Sequence, residues 1–164
     1  MGHLTKLLLV AATLSVLPAQ RVPPRTPNAN ENRIGKIGAV RIHATDEQRE
    51  QALACGQLLE RALLSVKSAQ GNGDQLREQI SSLNLEHDKL IAGLDKHQQE
   101  QLRDRTREMG RARDRVNAAF KKLSAELAKP KPDSKRVTEQ ATEMEQAMKP
   151  WQEQYRGLQA DFQP

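Results

Sequence analysis

Few side chains in this 164-residue chain have the chemistry to bind a metal, attack a substrate or relay a proton. His43, His87 and His97 are spaced too irregularly to place two ligands on one helix face, which requires three or four residues between them. No metal site is expected from them. Cys55 is the only cysteine, so an internal disulfide is excluded, and its options are a buried thiol or a bridge between chains. Nucleophile-elbow, phosphate-cradling and paired His/Asp signatures are all missing from the sequence. Neither enzymatic activity nor a cofactor is expected. The densest chemistry is ionic. Arg103, Arg107, Arg111 and Arg115 recur every four residues, with Glu100, Asp104 and Glu108 three residues ahead of the first three. That spacing lets Glu100–Arg103, Asp104–Arg107 and Glu108–Arg111 pair along one helix and remain a solvated ridge. Arg113 stands where the apolar pattern calls for a hydrophobic residue, so it either snorkels or faces an acidic partner.

The elements that would position these groups are helical. Thr45 to Gln48 reads T-D-E-Q and Asp95 to Gln98 reads D-K-H-Q. In each, the first side chain can accept from the third amide of a helix while the glutamine returns to the cap amide, a capping box. Behind the first box, Ala52, Cys55, Leu59, Ala62 and Val66 recur at steps of three and four, which predicts a helix over about 46–69. Leu76, Ile80, Leu83, His87, Leu90 and Leu94 predict a second over 74–92, with Gly93 as its stop. Leu102, Thr106, Met109, Arg113, Val116, Phe120, Leu123 and Leu127 predict a third over 95–128, out of phase with the second and closed by Pro130 and Pro132. Val137, Ala141, Met144, Met148, Trp151, Tyr155, Leu158 and Phe162 predict a fourth over 134–162, one bent helix despite Pro150. Stripes this narrow must pair, so the expected fold is all-α: an elongated antiparallel helical bundle or bent cradle of three to four amphipathic helices spanning 44–164. A mild bend near Gly93 would instead fuse the second and third helices into a rod. From Ala44 onward only 21 of 121 residues are Leu, Ile, Val or Phe, so the core is thin, and homodimerisation is one way to bury more apolar surface.

The start of the chain has a different character. MGHLTK precedes an 11-residue apolar run, Leu7 to Leu17, followed by Pro18 and Ala19, the layout of a signal peptide over 1–20. A run that short does not span a bilayer, and no other segment is apolar enough to do so. The expected location is periplasmic or extracellular after cleavage. Residues 21–43 are rich in Pro, Asn and basic residues and read as a flexible linker. The formal charge of +5 belongs to this region. Six bases and one acid precede residue 44, which leaves 20 of each beyond it, so a nucleic-acid partner is not expected of the helical part.

The two boxes, ATDEQ at 44–48 and LDKHQ at 94–98, each opening an amphipathic helix after a leader, resemble the L-T-x-x-Q motif of the Spy and CpxP family of periplasmic stress proteins. The resemblance implies a small helical cradle, often dimeric, that holds unfolded clients on a concave surface of mixed apolar and basic character without ATP. It makes Thr45, Gln48, Leu94, Asp95 and Gln98 structural caps. Arg103, Arg107, Arg111, Arg113, Trp151 and Tyr155 are then the candidate partner-binding residues. The expected function is an exported holding chaperone or envelope-stress binding protein. The alternative is a coiled-coil scaffold for one specific envelope partner.

Overall fold

The computed structural model describes residues 40–68 and 73–162, so the expected leader and all but the last four residues of the expected linker lie outside it. Five helices follow one another: α1 (Asp46–Lys67), α2 (Gly73–Ala92), α3 (Lys96–Gln101), α4 (Arg103–Leu127) and α5 (Ser134–Asp161). The described residues contain no strand. The all-α bundle expected from the periodicity is therefore the fold.

The structure buries the first two expected stripes whole and the fourth from Met144 onward, with Val137 and Ala141 half buried. On α1 the buried positions are Ala52, Cys55, Leu59, Ala62 and Val66; on α2 they are Leu76, Ile80, Leu83, His87 and Leu90. On α5 they are Met144, Met148, Trp151, Tyr155 and Leu158, with Phe162 just past the helix end. The helix runs unbroken through Pro150, as expected of a pattern that keeps its phase there. The third stripe differs. The buried line on α4 is Arg105, Met109, Ala112, Val116, Ala119, Leu123 and Glu126, while Thr106, Arg113, Phe120 and Leu127 are only half buried beside it. Both readings share the residues seven apart from Leu102 to Leu123 and part over whether the intervening step is three or four. Ala112 and Ala119 take the inner position, opposite an α5 face that carries Trp151, Tyr155 and two methionines. The expected single helix over 95–128 is also divided, with Leu102 closing α3 and opening α4.

Packing is antiparallel throughout. Gln159 of α5 donates to the Ala52 carbonyl of α1, and Lys67 lies 3.7 Å from Glu145 at the other end of the same pair. Asn84 reaches Asn117 between α2 and α4 (3.0 Å), and Lys122 reaches Glu143 between α4 and α5 (2.6 Å). The helix neighbours are α1–α2, α1–α5, α4–α5 and α2–α4, which close a four-membered up-down bundle. The α1–α5 contact excludes the extended rod. One expected boundary moves, because the flexible linker was placed as far as residue 43. Ile42 is 3% exposed and its amide donates to the Asp161 carbonyl (2.8 Å), while the Val40 amide donates to Asp161 Oδ1 (3.0 Å). An apolar side chain with a buried site and two amide partners holds this segment against the end of α5.

Candidate functional site

The two capping boxes form as their sequences predict. Thr45 Oγ1 accepts from the Gln48 amide (3.2 Å) and Gln48 Oε1 from the Thr45 amide (3.0 Å). Asp95 Oδ1 accepts from the Gln98 amide (2.8 Å) and Gln98 Oε1 from the Asp95 amide (3.0 Å). What local pattern does not predict is that the boxes hold each other. Gln48 Nε2 donates to Gln98 Oε1 (2.9 Å) and Gln98 Nε2 donates back to Gln48 Oε1 (3.1 Å). The remaining amide protons go to the Gly93 carbonyl (2.8 Å) and the His43 carbonyl (2.9 Å). Every partner is displaced by the same 50 residues, so 43, 45 and 48 correspond to 93, 95 and 98, and buried Ala44 corresponds to buried Leu94. The result is a local pseudo-two-fold clasp that ties the start of α1 to the turn between α2 and α3. Both glutamines are buried with their side-chain amide groups satisfied, the condition under which a buried polar pair contributes to stability.

Beside this clasp the surface is concave. Ile91 and Ala92 from the end of α2, Leu94 from the turn after it, Lys96, Gln99 and Glu100 from α3, and Arg103 and Thr106 from α4 line a groove of about 610 Å³. The turn that the clasp holds places an apolar floor between two basic side chains. Arg103 is thus brought to the groove, and the helix break at Leu102 separates it from its expected partner. Among the described residues no ion pair joins it to Glu100. Arg107 and Arg111 pair with Asp104 (2.9 Å) and Glu108 (2.7 Å) on a solvated ridge, as expected. Arg113 faces an acid, Asp88 of α2.

Of the candidate partner-binding residues, Trp151 and Tyr155 lie inside the bundle and not at its surface. Both are buried, at 0% and 1% exposure, and form an aromatic cluster with His87. The His87 ring stands edge-on to Trp151 at 5.6 Å and to Tyr155 at 6.0 Å, and its Nδ1 lies 2.7 Å from the Tyr155 hydroxyl. The reason is volume, since α5 faces alanines on both α1 and α4 and the large rings fill the space between. Burial, then the Arg113 charge, lower the His87 pKa to about 4. Burial raises the Cys55 pKa to about 11, so the thiol stays protonated inside the core. Burial likewise pushes the Tyr155 phenol upward.

A second buried polar group was not legible in the sequence. Arg105 Nε donates to Asp161 Oδ2 (2.5 Å) and its Nη1 to Gln154 Oε1 (3.3 Å), all three residues buried. Gly157 makes the room, because a Cβ there would stand 2.0 Å from Arg105 Nη1. The signal available was a mid-helix glycine one turn before Asp161. Among the described residues no cluster of His, Cys, Asp and Glu could hold a metal ion, and no helix is long and apolar enough to cross a membrane. Comparison with family models, with curated proteins and with solved structures returns no match for this chain.

Proposed function

We propose that the chain is an exported, ATP-independent holding chaperone or envelope-stress binding protein that takes unfolded or partner proteins in the groove beside the second capping box. The observation that carries this reading is the lining of that groove, where Ile91 and Leu94 lie between Lys96 and Arg103. A surface of that composition takes apolar side chains and acidic groups of a client without needing one sequence. Two further features support it: the paired capping boxes through which the chain resembles the Spy and CpxP family, and the leader-like start of the sequence. The mature chain should then begin near residue 20, which N-terminal sequencing of the exported protein reads directly. In a client-aggregation assay the mature protein should suppress aggregation near equimolar ratio. Arg103→Glu should weaken suppression without lowering the melting temperature, since this exposed side chain lines the open groove. No suppression by the unaltered protein at stoichiometric ratio would sink the proposal.

The described surface has few exposed large apolar side chains, Leu53, Leu64 and Leu85 among them, and this favours a second reading, a scaffold for one envelope partner. Envelope pull-down separates the two. One stoichiometric partner favours the scaffold, and many weak clients favour the chaperone.

A further inference from the structure

The outward face of α1 carries a second heptad line that the bundle does not use. Glu50, Leu53, Gln57, Glu60, Leu64 and Lys67 follow at steps of three and four, and all six are exposed, with Leu53 at 52% and Leu64 at 66%. Single exposed leucines are ordinary on a protein surface, but these two are eleven residues apart on one helix face with polar residues placed symmetrically around them.

The order of the six is self-complementary when reversed. Laid antiparallel on a copy of itself about the midpoint between Gln57 and Glu60, the line sets Leu53 against Leu64, Gln57 against Glu60 and Glu50 against Lys67, each pair occurring twice. Apolar then meets apolar, an amide donor meets a carboxylate and an acid meets a base. Parallel pairing would instead oppose Glu50, Glu60 and Lys67 to themselves, three like-charge contacts. Glu50 and Glu60 have no intramolecular ion-pair partner among the described residues, and Lys67 is held only by the 3.7 Å contact with Glu145 from an exposed side chain. Beside the line, Gly56 and Gln57 of α1 and Gln152 and Arg156 of α5 border a shallow groove of about 290 Å³, so the neighbouring helix leaves this face open.

We infer that α1 is the interface of an isologous, antiparallel dimer of this chain, in which Leu53 and Leu64 of the two copies interlock and Glu50 pairs with Lys67 at both ends. A closed two-fold interface requires one patch complementary to itself, which this line is. From Glu50 to Lys67 the contact is ~26 Å long at ~1.5 Å per residue, a small area, so the dimer forms reversibly. The inference does not depend on the chaperone reading, because the groove beside Arg103 is a separate surface.

Sedimentation of the full chain from about 1 to 500 µM is the test, a range that brackets weak association. The expected result is a monomer that passes to a dimer as concentration rises. Leu53→Glu and Leu64→Glu should each move the midpoint to higher concentration by about tenfold or more while leaving the melting temperature of the dilute protein unchanged. Glu50→Lys alone and Lys67→Glu alone should each weaken the dimer by opposing like charges, and the double variant should restore it. A monomer at every concentration would overturn the inference, as would a dimer indifferent to Leu53→Glu or a double variant weaker than both singles.

Discussion

His87 enters the fold uncharged, and that makes it the residue through which acid acts on the core. Around it stand Trp151 and Tyr155 from α5, Arg113 from α4 and Asp88 on its own helix. Its folded pKa of about 4 lies below the ordinary value near 6.5, so the unfolded chain takes up the proton first. Stability is therefore complete above about pH 6.5, falls as pH drops from there to about 4, and levels off below. Integrated over that window the loss is about 3 kcal/mol. Urea midpoints at neutral pH and through the window should show it, and His87→Leu should flatten the slope. A slope unchanged in that variant would place the proton elsewhere. Glu126 acts over a lower range, because Lys129 and the Asp133 amide hold its carboxyl below the usual carboxylate value, and its contribution is lost only as pH falls through that lowered pKa.

At the scale of the helix, two glycines invite the same substitution and should give opposite results. Gly110 of α4 has nothing within 4 Å of where a Cβ would stand, so Gly110→Ala should stabilise by ~0.5–1 kcal/mol through helix propensity. Gly157 of α5 is packed against the Arg105 guanidinium, and Gly157→Ala should displace a buried charge from Asp161, a loss of about 3–5 kcal/mol. Thermal unfolding of the two variants settles the comparison, and a stabilised Gly157→Ala would show that the Arg105–Asp161 pair contributes little. These residues also mark how far the sequence could be read. Helices α1 and α2 bury every expected position and α5 every one from Met144 onward, with Val137 and Ala141 half buried, so their inner faces were largely legible. Helix α4 lines its core face with Arg105, two alanines and Glu126, and apolar counting chose Phe120 and Leu127 one position further round. Polarity marks the inner face only where the buried residues are apolar. Arg105 is buried because of Asp161 and Gly157 on another helix, which no local window contains.

The described helices share one core, and Trp151 sits where they converge. Trp151→Ala should lose about 3–5 kcal/mol of a total near 5–15. Because α5 packs on both α1 and α4, that loss falls on the entire bundle and not on its C-terminal half alone. Far-UV circular dichroism on heating should show one cooperative transition at lower temperature, whereas an unshifted midpoint would remove Trp151 from the core. Helix number and order followed from periodicity and caps, but the closure of α1 on α5 and the meeting of the two glutamines did not. Each capping box was visible within six residues, yet nothing local fixes which helix starts become neighbours. The hydrogen bonds from Val40 and Ile42 to Asp161 have a consequence for how the chain is made. They join residues 121 and 119 positions apart, so the segment before α1 waits for the end of α5. During synthesis α1 and α2 can form a hairpin early, but α1 lacks its second neighbour and Arg105 its carboxylate until α5 has emerged. Closure of the bundle is thereby a late event, one that waits for α5 whatever the earlier helices have already formed.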